Sequence, residues 1–203
     1  MEIRRFLEKL SSDTPTPGGG SASALSGALS AALVAMTAGL SLKKGKLKRE
    51  EAEKTRKDAL AVQRKMLRAV TEDAKSYEAV LRAFRLPKDS QKKRYIRTKA
   101  IQKAYQGATA IPQLVAQQSL QLMNYSKILI LKGNPNAVSD AGVAAFLADT
   151  ALTGGLLNIG VNLVSVTDKT FLKKMNLLMK QLARKRNRLM RDILNTLVGI
   201  KQS

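Results

Sequence analysis

The chain has 203 residues, no cysteine and no histidine, with 36 Lys and Arg against 15 Asp and Glu for a net charge of +21. This length suffices for one domain, 1–203, to bury a core without staples, and the two missing residue types exclude disulfides, thiolate nucleophiles, histidine bases and the usual zinc and copper sites. Any chemistry must use carboxylates, amides, hydroxyls, Lys, Arg, Tyr or the backbone.

Taken in chain order, a helix is expected near Glu2 to Ser11, with Ile3, Phe6, Leu7 and Leu10 on one face. Pro15-Thr16-Pro17-Gly18-Gly19-Gly20 breaks it. Ser21 to Leu42 reads as a wholly buried central helix, because Ser23, Gly27, Ala31 and Ala35 leave room for a close neighbour. Lys43 to Arg49 is a basic connector. From Glu50 to Phe84, Leu60, Leu67, Val70, Ala74, Tyr77, Leu81 and Phe84 recur mostly at three- and four-residue spacing and form a bundle seam. After Leu86-Pro87-Lys88 a helix is expected from Ser90 to Tyr125, kinked at Pro112. Gly133 to Asn136 reads as a turn, and Ser139-Asp140 as the cap of a helix reaching Leu163. Thr167 or Asp168 caps a last helix ending near Ile200, striped by Phe171, Met175, Leu178, Leu182, Leu189, Ile193 and Leu197. The fold class is therefore all-α, a single-domain antiparallel bundle of about six helices.

The excess charge is confined to two stretches. Residues 43–103 hold 21 basic and 8 acidic side chains and residues 169–203 hold 10 and 1, while residues 104–168 hold 2 and 3. Such a field attracts nucleic acid, an anionic membrane surface or an acidic small molecule. Residues 14–42 carry no charge and exceed the length a bilayer requires, yet their Ser, Thr and Gly content favours a protein interior over lipid. With no disulfide and no secretory signal, a cytoplasmic location is expected.

Three features interrupt this structural pattern. Gly18 to Gly20 open a helix with bare backbone N–H groups that suit a carboxylate, phosphate or carbonyl oxygen, and a plain tight turn is the structural alternative. Gly133-Asn134-Pro135-Asn136-Ala137-Val138-Ser139-Asp140 offers two carboxamides, a hydroxyl and a carboxylate, more than a capped turn needs. Asp73 shares a helix face with Met66, Val70, Tyr77, Val80 and Phe84, where a carboxylate needs a reason, either a site or a Lys or Arg partner. Asp149, Asn158 and Asn162 likewise interrupt an apolar helix, as site groups or as interhelical contacts.

These residues, in this order and spacing, resemble the formiminotetrahydrofolate cyclodeaminase and methenyltetrahydrofolate cyclohydrolase family. The resemblance rests on PTPGGGSASALSGALSAAL, Asp73-Ala74 followed by Tyr77, LPK at Leu86 to Lys88, ATAIP at Ala108 to Pro112, GNPNAVSDAGVAA from Gly133, and Leu157 through Asn158, Asn162, Leu163 and Asp168. It implies an all-α homodimer acting on an amidine-like carbon held between two folate nitrogens. That action is either hydrolysis of 5,10-methenyltetrahydrofolate to 10-formyltetrahydrofolate or cyclisation of 5-formiminotetrahydrofolate with release of ammonia. Asp73 and Asp140 are then the acid–base candidates. Pro17, Gly18, Gly19 and Gly20 would offer backbone donors, Asn134, Asn136, Asn158 and Asn162 orienting amides, Ser139 a hydroxyl, and Lys88 a partner for the glutamate tail. No metal or redox cofactor is expected, folate being the substrate, possibly polyglutamylated, and no membrane partner is expected. Both basic stretches are expected to line the folate entrance.

The alternative is a basic helical nucleic-acid-binding protein without catalytic activity. A pI near 10.5 supports it; the scarcity of aromatics and the neutrality of the motif segments count against it.

Overall fold

The computed structural model describes residues 2–200 and contains, among them, seven α-helices and no strand. They are α1 (Ile3–Leu10), α2 (Gly19–Ser41), α3 (Arg49–Phe84), α4 (Gln91–Ala108), α5 (Ala110–Lys132), α6 (Val138–Leu163) and α7 (Lys169–Ile200), with a 3-10 turn at Pro135–Ala137. The all-α bundle follows the sequence reading, but the fourth expected helix is two. Pro112 falls three residues inside α5, where its missing N–H belongs to the unbonded first turn. Its ring would clash with the carbonyl four residues back, so the chain breaks at Thr109 rather than kinking at the proline. The Ala108 carbonyl left over accepts from the Asn162 amide at 3.3 Å.

The helix α2 packs against α3, α5 and α6, and its small residues set the spacing of the whole core. Ser26 and Ser30 donate to the carbonyls of Leu147 and Ala144 on α6 at 2.8 and 2.7 Å, which satisfies both hydroxyls in the crossing. A Cβ added at Gly154 would overlap Ser23. Burial is not complete, contrary to the sequence reading, because Leu29, Met36 and Leu40 face outward on the side that no helix covers. Both α2 and the Pro135–Leu163 stretch are long and apolar enough to cross a membrane, yet 56% and 44% of them lie buried inside the bundle.

Along α3 the core face is lined by Ala59, Val62, Met66, Ala69 and Val70, whereas Leu67, Tyr77 and Phe84 of the expected seam stay largely exposed. Close helix contact selects the small side chains and displaces the large ones to the flanks. Phe84 instead meets Tyr105 of α4 edge-on at 6.1 Å and carries Arg97 over its face at 5.5 Å. Of the expected face of α1, only Phe6 is fully buried.

The last helix, α7, lies against α5 and α6. The two basic stretches therefore occupy different faces, and only the segment leading into α7 reaches α4, through Gln102 and Gln106. Asp168 caps α7 by accepting from the N–H groups of Thr170 and Phe171 at 2.9 and 3.0 Å. Asp149 of α6 takes a two-pronged bond from Arg186, Nε to Oδ1 at 2.5 Å and Nη2 to Oδ2 at 2.6 Å, which assigns this carboxylate to anchoring α7. Removing one partner of a buried pair costs about 3–5 kcal/mol. The Arg186 side chain is 32% exposed, so Asp149→Ala should cost about 2 kcal/mol, read as a lower urea midpoint with unchanged slope.

Candidate functional site

The start of α2 and the middle of α3 meet at Asp73. Gly20 is buried against this carboxylate so closely that any Cβ at position 20 would overlap it, which gives the third glycine of the run a specific reason. The Ser21 hydroxyl, fully buried, lies 2.9 Å from the Val70 carbonyl and 3.2 Å from Asp73 Oδ2, and donates to both. Among the described residues no Lys or Arg pairs with Asp73. Burial pushes the Asp73 carboxyl above its ordinary value, and the Ser21 bonds oppose that rise only partly. The explanation by a basic partner therefore fails, and a half-buried carboxyl poised to hold a proton remains.

Asp73 opens on a crevice of about 160 Å³ shared with Gly20, Ser23, Pro112, Gly155 and Asn158. Asn158 reaches it from α6, its amide donating to Gly154 O at 2.8 Å, and its carbonyl oxygen makes no hydrogen bond among the described residues. Asn162 sits one turn further on and spends its amide on Ala108 O and on Asn158 O at 2.9 Å, so its evident role is to close the break between α4 and α5. Pro17 and Gly18 are part-buried in the approach to α2, and Gly19 is exposed at its first turn. Ser21, Pro112 and Gly155 were not singled out as site residues from the sequence. The signal for Ser21 lay in its place directly after the glycine run, whereas the other two reach the crevice through a helix crossing that no local pattern encodes.

Beside this crevice, a groove of about 590 Å³ runs between α3 and α4, lined at one end by Glu72, Ser76 and Ala108 and at the other by Arg82 and Leu86. From Glu72 to Leu86 it is about 20 Å long at 1.5 Å per helical residue. Lys75, Arg82 and Lys103 flank it, and Lys88 is exposed in the turn beyond its far end.

The Gly133–Asp140 motif lies elsewhere. Asn134 N–H donates to Ser41 Oγ at 3.0 Å and its side-chain amide to Leu40 O at 3.1 Å, which pins the turn to the C-terminal end of α2. Gly45, at φ 149°, backs onto Gly133 from the other side, too close for a side chain at either position. Asn134 Oδ1 accepts from Asn136 N–H at 3.0 Å, so both ends of the Asn134 amide serve the turn. The expected cap by Ser139 and Asp140 is not formed: α6 starts at Val138 without a side-chain cap, and Asp140 lies inside its first turn. Asn136, Ser139 and Asp140 make no side-chain hydrogen bond among the described residues and reach the surface. Within one chain, Asp73 and Asp140 are separated by the length of α2, about 30 Å.

A fold of seven helices around a small-residue core, with a lone buried carboxyl beside a basic-rimmed groove, defines a class that comparison makes specific. Residues 2–181 match the model of the family described as formiminotransferase-cyclodeaminase. The chain is 36% identical over 173 residues to a methenyltetrahydrofolate cyclohydrolase of Methylorubrum extorquens, covering 83% of this chain and 82% of that one. It is 32% identical over 173 residues to the formimidoyltransferase-cyclodeaminase of Sus scrofa, of whose length it spans 32%. In three dimensions it superposes on the formiminotetrahydrofolate cyclodeaminase of Thermotoga maritima with a TM-score of 0.88 over 98% of this chain and 97% of that one, at 24% identity, a likeness of fold. The chain belongs to the formiminotransferase-cyclodeaminase family.

Proposed function

We propose that this protein is a one-carbon folate enzyme that hydrolyses 5,10-methenyltetrahydrofolate to 10-formyltetrahydrofolate, with Asp73 as the acid–base group. The observation that carries this reading is an unpaired, half-buried carboxyl with a raised pKa at one end of a groove long enough for an extended folate. The match along most of the length of a cyclohydrolase favours water as the nucleophile. Water adds to the cationic carbon between N5 and N10, and Asp73 takes a proton from it. Collapse then breaks the bond to N5, which receives a proton, and the formyl group stays on N10. Cyclisation of 5-formiminotetrahydrofolate asks the same of the carboxyl: N10 attacks, and ammonia leaves with the proton.

The pterin end lies toward Asp73 and Asn158, and the glutamate tail toward Arg82, Lys103 and Lys88, whose charges attract one or several carboxylates. The chemistry calls for no metal and no redox cofactor. The working form is a cytoplasmic homodimer. Mixing the protein with methenyltetrahydrofolate should abolish the near-ultraviolet absorbance of that substrate far faster than buffer does. Ammonia release from formiminotetrahydrofolate with no loss of methenyl absorbance would reassign the reaction to cyclisation, and inertness toward both would refute the reading. Lys103→Ala with Lys88→Ala should raise KM for a long-tailed substrate more than for the monoglutamate, with kcat nearly unchanged. An equal effect on both would place the tail elsewhere.

A further inference from the structure

The two motif clusters stand at opposite ends of one apolar face. The outward residues of α2 named above, Leu29, Met36 and Leu40, adjoin the outward stripe of α6, and on α6 Leu157 is 66% and Val161 73% exposed. Because α2 and α6 run antiparallel and in contact along their length, this face is a strip about 30 Å long. It ends at Asp73 and Asn158 on one side and at Asn136, Ser139 and Asp140 on the other. An exposed strip of this size and apolarity marks an interface.

We infer that a second copy of this chain covers the strip in antiparallel fashion and that each active site is completed by Asn136, Ser139 and Asp140 of the opposite copy. This rests on the assignment of Asp73 to the reaction. A two-fold axis crossing α2 at its middle sets the first turn of one α2 beside the last turn of the other, so one operation closes the 30 Å gap twice. A parallel arrangement would bring like ends together and leave the gap open. Three polar side chains with no partner of their own then face the Asp73 crevice across the interface, where Asp140 can balance the cationic carbon from the side opposite Asp73.

The test is complementation between two inactive variants, Asp73→Asn and Asp140→Asn, with Asn136→Ala as a substitute should Asp140→Asn disturb the start of α6. Each is checked for melting temperature and for dimer mass by light scattering. The variants are mixed in equal amounts under conditions where native mass spectrometry shows subunit exchange. About half the dimers are then mixed, and each mixed dimer holds one site with both native residues, so activity should recover to about a quarter of wild type. No recovery from two inactive, exchanging variants overturns the shared site, as does a monomeric wild-type protein or full activity in both Asp140→Asn and Asn136→Ala. In the last case, loss of activity in Asp73→Asn alone leaves the proposed function standing. Full activity in Asp73→Asn removes both.

Discussion

Asp73→Asn should lower turnover by about 10²-fold or more while leaving the melting temperature unchanged or slightly raised at neutral pH. The two effects separate because the carboxyl has no basic partner to lose and carries instead a burial cost that the amide does not. The sign follows from the raised pKa. A carboxyl whose folded pKa lies above its unfolded one gives a contribution that is complete below the unfolded value and is lost as pH rises through the folded value. The stability difference, variant minus wild type, should therefore grow from the ordinary carboxylate range up to the raised pKa of Asp73 and be flat beyond it. Thermal melts of both proteins across that range measure it. A constant difference would mean that Asp73 is not held at a raised pKa, and a strongly destabilised variant would mean an ionic partner that the fold does not contain.

Gly155→Ala should be the most damaging conservative change at a glycine. A Cβ there would stand 2.8 Å from Pro112 O and 3.0 Å from Ala116 N, both backbone atoms of α5 that no rotamer change can move. Overpacking costs about 1–3 kcal/mol, and this rigid contact belongs at the upper end. The helix-propensity gain of alanine over glycine returns at most about 1 kcal/mol, which leaves a net loss of about 2. Because Gly155 and Pro112 also line the Asp73 crevice, turnover should fall along with stability. Two controls sharpen the result. At Gly27 the added methyl would meet only the flexible end of Met66, and at Gly160 it would make an ordinary 3.7 Å contact with Met179. Gly160→Ala should be neutral or stabilising, and Gly27→Ala intermediate. Equal melting temperatures for all three would refute the account of the α5–α6 crossing.

The sequence by itself determined the helical class, most of the helix ends and the main site carboxylate. Pro and Gly punctuation acts through the backbone of the residue that carries it, so the breaks after α1 and α3 and the Asp168 cap could be read locally. Asp73 stood out for a related reason: a charge among Met66, Val70 and Val80 conflicts with its own neighbours on the helix. What only the tertiary structure decided depends on distances between helices. The seam of α3 fell on its alanines rather than on Leu67, Tyr77 and Phe84, because closest approach rewards absence of bulk and a periodicity search rewards its presence. Asp149, as conspicuous in sequence as Asp73, proved to be the anchor of Arg186, a partner 37 positions away. Asn162 was claimed by a carbonyl that Pro112 had freed 54 positions earlier in the chain. The two polar motifs, read together as one site, lie about 30 Å apart because a straight helix of 23 residues separates them. Spacing along a chain records which residues share a helix face, but which helix ends come together is fixed by packing, and here by the packing of a second copy.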